Sequence, residues 1–435
     1  MQEIIEVGLE RLELPEAEGA ILVGLKKLRG EGLRSMRELA HLALSAGARP
    51  VDVLIQPRRS PDSATYIGSG KLEELKALRL SLDAEIVLFN DELTPVQVSN
   101  LVDELECKVL DRSELILDIF AQHATSREGQ LQVELAQLSY LLPRLVGKGR
   151  MVDRIGAGGG QAGGVGVRGP GETKLETQRR RLRRRIAKLK DELEEVRRHR
   201  EVEKQGRQRR GLAMVSLVGY TNAGKSTLLN ALVGSDEVRT NNRLFETLDT
   251  TIRKMEIEGA EVLISDTVGF IYKLPRTLFT AFMATLEQLE DADVILHVLD
   301  ASQPWVETER RASEEMLKKI GVADRSTIVV VNKWDRIAGT ERAEHLKEEM
   351  PDALPISALE SAGLDELRTR IAQVVFSGLV PLTLRIPYDS MQGLQTCRDN
   401  GRVLETRYEG EYVAADVEMK PEMVERLREY VVAPG

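Results

Sequence analysis

Aromatic residues are scarce in this chain. Phe, Trp and Tyr make up 4% of its 435 residues, so the cores must be built from aliphatic side chains. Cysteine is scarcer still: Cys107 and Cys397 are the only two. They exclude a disulfide framework, and neither has a partner at metal-ligand spacing. The five histidines are scattered and form no ligand pair, so no zinc site is expected. No apolar run reaches the roughly 18 residues of a membrane span. The amino-terminal MQEIIEVGLERLELPE is acidic and lacks the apolar stretch of a signal peptide. These absences lead us to expect a cytoplasmic protein with no stable membrane contact. What is present fits a globular chain, with 42% hydrophobic and 30% charged residues. The length suggests about three domains.

Net charge is −9, but it is unevenly spread. Residues 172–210 hold sixteen Lys/Arg against eight Asp/Glu. One basic segment in an acidic chain suggests a local polyanion contact, although a solvated helix face would look the same.

The order of elements is legible. Over 1–123, short apolar runs at 21–25, 51–55, 85–89 and 108–110 alternate with helical patterns near 35–46, 71–82 and 94–106. That alternation predicts a small parallel α/β domain. Over 124–210 two seams follow, Leu131, Leu135, Leu138, Leu142, Leu145 and Leu182, Ile186, Leu189, Leu193, Val196. The 4-3-4-3 spacing predicts a long antiparallel helical hairpin. Its tip is 156–171, where nine of sixteen residues are Gly. Pro143 is expected to kink or end the first helix. Over 211–376 the βα alternation resumes, as expected for a parallel sheet with helices on both faces. Residues 377–435 read as β-α-β-β-α, a small α+β domain. Met283 and Met391 read as core positions.

Gly219-Tyr220-Thr221-Asn222-Ala223-Gly224-Lys225-Ser226-Thr227 fits G-x-x-x-x-G-K-[ST], between an apolar run and a helical one. In that context the loop's backbone N–H groups can cradle phosphates at a helix N-terminus. Lys225 is expected to reach the β- and γ-phosphates, and Ser226 to bind Mg²⁺. Asp266-Thr267-Val268-Gly269 ends a second strand. There Asp266 can hold Mg²⁺ through water, and the Gly269 N–H can sense a γ-phosphate. Asn332-Lys333-Trp334-Asp335 ends a third. A carboxylate at Asp335 accepts from both donors on the guanine edge, which adenine lacks, so the pattern selects GTP. Ser357-Ala358-Leu359 stands where a backbone N–H can cover the guanine O6. Phe245-Glu246-Thr247-Leu248-Asp249 occupies the place of a switch loop, with Thr247 as first choice for a hydroxyl on Mg²⁺ and Thr251 second. By contrast Tyr66-Ile67-Gly68-Ser69-Gly70-Lys71 lacks the full phosphate-loop spacing and reads as a structural turn.

Beyond these motifs the chain resembles one family closely. Tyr66 to Lys71, Leu115-Ile116-Leu117-Asp118-Ile119-Phe120, Leu131 to Leu138, Arg168-Gly169-Pro170-Gly171-Glu172-Thr173-Lys174-Leu175-Glu176, and Asp266 to Ile271 followed by Leu274-Pro275 are similar to signatures of the HflX family of GTPases. The resemblance covers about 15–435. It implies a Mg²⁺-dependent GTPase, a P-loop G domain, and binding to the 50S ribosomal subunit. It further implies splitting of stalled or vacant 70S ribosomes, often under stress. The hairpin would meet ribosomal RNA, with Arg168, Arg179, Arg180, Arg181, Arg183, Arg184 and Arg185 as candidate contacts. No DNA contact and a monomer are expected. Large-subunit assembly, or a purely nucleotide-gated regulatory module, are the alternatives. Two departures stand out: Thr250 replaces a frequent Pro, and Trp334 is bulkier than usual.

Hydrolysis has its own signature. In Ras-like enzymes a Gln after the DxxG glycine orients the attacking water. Here that residue is Phe270. Slow intrinsic turnover and stimulation by a partner are therefore expected. Lys225, Thr247, Gly269 and Asn222 are the candidate catalytic residues. Asn222 matches an Asn that helps bind K⁺ in related GTPases, making K⁺ a candidate second ion. A turn-stabilising Asn would occupy the same place.

Overall fold

The computed structural model describes residues 17–26, 31–156, 170–209, 212–234, 251–272, 286–419 and 421–432. By its contacts the chain falls into two units. The first is Met1–Val196, Arg243–Leu248 and Ile271–Ala284; the second is Arg197–Asn242, Asp249–Phe270 and Thr285–Gly435.

The first unit opens with β1 (Gly19–Lys26), α1 (Glu31–Ser45), β2 (Arg49–Pro57), α2 (Ser69–Leu82), β3 (Ile86–Phe89), α3 (Pro95–Leu105), β4 (Lys108–Asp111) and α4 (Arg112–His123). The strands form a parallel sheet in the order β2-β1-β3-β4. Its core is aliphatic, with Ile21, Val23, Leu75, Val87 and Leu101, and Phe89 meets Tyr66 edge to face at 5.3 Å. Local chemistry sets the helix starts. Thr94 and Gln97 form a capping box on α3, and Asp111 caps α4 by accepting from Glu114 N–H. Helix α4 is not foreseen by the strand-like reading of 108–110. Asp111 is both the last residue of β4 and the cap of α4, so no turn residue separates the two. The 66–71 segment is not a turn throughout but the entry to α2: Tyr66 is buried at φ 67°, Gly68 is the N-cap and its N–H donates to Gln56 Oε1 at 3.0 Å, and Ser69 to Lys71 open the helix.

Two long helices follow, α5 (Arg127–Gly156) and α6 (Pro170–Arg209). The first seam residue, Leu131, is buried, as is Leu189 of the second; Arg185 of α6 grips Glu134 of α5 at 2.7 and 2.5 Å. Pro143 does not end α5. The interior Pro costs about 3 kcal/mol. The residue after it is strongly anchored: Arg144 donates to the buried Asp111 at 3.1 Å and to Leu93 O at 2.8 Å, and it stacks on Tyr140. Most of the glycine-rich tip lies outside the described residues.

The second unit holds β5 (Met214–Gly219), α7 (Lys225–Val233), β6 (Thr251–Ile257), β7 (Ala260–Asp266), β8 (Val294–Asp300), α8 (Val306–Ile320), β9 (Ser326–Asn332), α9 (Glu341–Glu349), β10 (Leu354–Pro355) and α10 (Leu364–Val375). The sheet order is β10-β9-β8-β5-β7-β6. All neighbours are parallel except β6, which pairs antiparallel with β7. The sequence reading expects a parallel sheet, and the antiparallel edge strand is the one detail it does not supply. The exception is dictated by the two-residue turn at Glu258 and Gly259, both at positive φ, too short for a crossover. The carboxyl ends of β5, β7, β8 and β9 share one edge, as required by their parallel register.

The chain ends in β11 (Val380–Pro387), α11 (Gln392–Asn400), β12 (Gly401–Tyr408), β13 (Tyr412–Met419) and the short α12 (Pro421–Val424). The three strands form an antiparallel sheet, β11-β13-β12, over Leu384, Ile386, Leu394 and Val417. Met391 is not in that core but 38% exposed, because it sits before the first turn of α11. Met283 lies outside the described residues.

Candidate functional site

The glycine-rich loop joins β5 to α7, as its context predicts. A Cβ on Gly219 would stand 2.1 Å from Val298 O, and one on Gly224 2.3 Å from Asn332 Nδ2. Both have positive φ, 153° and 90°, so side chains are excluded twice over. Asn222 also has positive φ, at 61°. Lys225 is buried, and its Nζ donates to Gly219 O at 3.2 Å and Tyr220 O at 3.0 Å. Burial lowers its pKa to about 8, with the nearby Lys333 acting the same way and Asp266 opposing. The ammonium is thus held over the loop, where a phosphate would offset the cost of its burial.

At the end of β7, Asp266 is fully buried and accepts from Ser226 Oγ at 2.6 Å. This hydroxyl beside a carboxylate suits Mg²⁺, which keeps most of its waters and needs few protein oxygens. Thr267 Oγ1 is turned away to Leu217 O. Gly269 presses on the loop: a Cβ there would be 2.8 Å from Thr221 N. Phe270 is fastened to the loop by its backbone. Its N–H donates to Gly219 O at 2.9 Å, and its carbonyl accepts from Thr221 N–H at 2.8 Å. Its ring is buried edge-on to Tyr220. An apolar side chain so placed cannot orient a water.

The end of β9 ties three motifs together. Asn332 donates to Ala223 O at 2.8 Å and accepts from Ala358 N–H at 2.9 Å. Lys333 donates to Asn222 O at 2.6 Å. Asp335 is half-buried, and its carboxylate has no hydrogen bond or ion pair among the described residues. That leaves both oxygens for a donor pair such as the guanine edge. Ser357 is buried and Leu359 is 80% exposed. Trp334 packs with the Val306, Ile337 and Leu346 cluster, so its bulk serves the fold on that side.

Sequence reasoning overlooks Asp300. It ends β8, pairs with Lys333 Nζ at 2.8 Å, and accepts from Ser302 N–H at 2.9 Å. It therefore positions the lysine that holds the loop at Asn222. A carboxylate closing an apolar strand in this order of strands was the available signal. Thr251 opens β6 in register with Asp266. Phe245, Glu246, Thr247, Leu248, Asp249 and Arg168 lie outside the described residues. On α6, Arg180, Arg181, Arg183 and Arg184 are exposed; Arg179 is half-buried, and Arg185 is engaged by Glu134.

Comparison with known proteins finds matches over most of the chain. Residues 33–121 match the family described as GTP-binding GTPase N-terminal, 123–207 its middle region, and 214–333 the 50S ribosome-binding GTPase family. A relative named GTPase HflX from Caldanaerobacter subterraneus subsp. tengcongensis is 42% identical over 96% of this chain and 95% of its own. The GTPase HflX of Escherichia coli is 39% identical, over 85% of this chain and 86% of its own. Among solved structures, a GTP-binding protein from Sulfolobus solfataricus in complex with GDP is 27% identical. It covers 82% of this chain and 98% of its own, with a TM-score of 0.45.

Proposed function

We propose that this chain, which belongs to the HflX family of GTPases and hydrolyses GTP, binds the large ribosomal subunit and dissociates stalled or vacant 70S ribosomes, as in a stress response. The ribosome stimulates its hydrolysis. The observation that carries this is Phe270: a buried ring stands where a water-orienting side chain would be needed. A site of that kind waits for an activator, and the family matched over 214–333 is described as ribosome-binding. The exposed arginines of α6 supply the charge for ribosomal RNA.

Residues 219–227 and Gly269 hold the phosphates, with Lys225 on the β- and γ-oxygens. Ser226 and Asp266 hold Mg²⁺, joined by Thr247. Asn332 to Asp335 and Ser357 to Leu359 hold guanine. The ion polarises the phosphates when bound; the chain's own groups orient them. K⁺ is proposed as a second ion near Asn222, a loop residue of positive φ. Turnover in KCl above that in NaCl supports K⁺; equal turnover removes it.

Sedimentation through sucrose tests the main proposal. With a non-hydrolysable GTP analogue, 70S particles should convert to 30S and 50S. Intact 70S, with binding only to immature large subunits, would instead indicate a role in assembly.

A further inference from the structure

Asp300 orients Lys333, and its own orientation has a source. The acid is buried at the end of β8, and a turn at 301–305 separates it from α8. Its carboxylate is engaged on both oxygens. Oδ1 accepts from Ser302 N–H at 2.9 Å and Ser302 Oγ at 2.6 Å. Oδ2 accepts from Lys333 Nζ at 2.8 Å and, more loosely, from Gln303 Nε2 at 3.5 Å. The direction in which Oδ2 faces Lys333 therefore follows the path of residues 301–303.

That path is held from two sides. Ala301 N–H donates to Asn332 O at 2.9 Å, which fastens the turn to β9. From α9, Arg342 grips two main-chain carbonyls at once: its Nε donates to Ala301 O at 2.9 Å, and its Nη2 to Gln303 O. Arg342 runs against the local rule for its position. It stands in the first turn of α9, beside Glu341 and Glu344, where the helix N-terminus suits acids and disfavours a cation. It is half-buried, and among the described residues it makes no ion pair. Its planar fork can hold two carbonyl directions together, which the single ammonium of a lysine cannot. The side chain thus serves the turn after β8 rather than its own helix.

We infer that Arg342 is a positioning residue for guanine-nucleotide binding. It sets the turn at 301–303, the turn aims Asp300, Asp300 aims Lys333, and Lys333 holds the phosphate loop at Asn222 O. The inference rests on the proposed nucleotide site. With the turn released, the lysine and the loop must be ordered at the expense of binding. None of these bonds lies at the γ-phosphate position, so GDP and GTP should be affected alike.

Affinities for fluorescent GDP and a fluorescent non-hydrolysable GTP analogue test this in the full chain. Arg342→Ala should weaken both about fivefold, roughly the net effect of one hydrogen bond. Arg342→Lys keeps the charge and one donor direction and should fall between. The decisive comparison repeats Arg342→Ala in an Asp300→Ala background. There it should weaken binding no further, because the arginine acts through that carboxylate. A role in folding alone would cost the same in both backgrounds. That equal cost, a loss confined to one nucleotide, or an unchanged affinity in Arg342→Ala would overturn the inference. Lys333→Ala separates it from the site reading: both nucleotides retained there at full affinity would sink the nucleotide-site proposal itself.

Discussion

Single side chains in this protein are placed at an electrostatic cost that ligands or pH can reveal. Lys225 is the clearest case. Its ammonium is desolvated, with a pKa near 8, and bound phosphates would raise it. Nucleotide binding then takes up a proton at alkaline pH, so affinity should fall as pH rises through 8. Titration calorimetry at pH 7 and 9 should show a loss of about tenfold. Lys225→Ala should abolish GTP binding. His297 costs stability in the other direction. It is buried on β8 with neither ring nitrogen hydrogen-bonded, and burial, then Arg310, lowers its pKa to about 4. The unfolded chain, with an ordinary His near 6.5, binds more protons between those values. Stability should therefore decline as pH falls from about 6.5 to 4, by up to about 3 kcal/mol. Denaturant melts of His297→Leu should show that slope flattened.

At the level of elements, much of the site was legible because strands and motifs punctuate each other. The loop at 219–227, Asp266 and Asn332 each follow a β-branched run, and parallel register brings those ends to one edge. Helix α4 was hidden because Asp111 serves both strand and helix. That α5 does not end at Pro143 was not legible, because the anchor of Arg144 on Asp111 comes from residues far away in sequence. Asp300 was missed since a single acid after a strand has no spacing partner; its role shows only when Lys333 is placed beside it. Asp300→Ala should leave the lysine without its carboxylate and weaken nucleotide binding several-fold, with little effect on melting, as fluorescent-nucleotide titration would read. The arginines of α6 form an element-scale feature as well. Replacing Arg180, Arg181, Arg183 and Arg184 by Ala should leave GTP binding intact. The salt dependence of large-subunit binding should drop by roughly three units of slope. An unchanged slope would take α6 out of the ribosomal contact.

Over the whole molecule, nucleotide recognition and hydrolysis separate. The loop, Asp266, Lys333 and Asn332 are hydrogen-bonded into one framework, so the binding half of the site is built in advance. The hydrolytic half is not: Phe270 is fixed to the loop by its backbone and its ring is buried. On the proposed function, a site built in this way should bind GTP firmly and turn it over slowly until something outside the chain supplies order or charge. Steady-state GTP turnover, measured alone and with purified 50S subunits at fixed salt, addresses this directly. Slow turnover by the free protein, rising tenfold or more with 50S, is the expected result. Fast turnover by the free protein, unmoved by 50S, would contradict it.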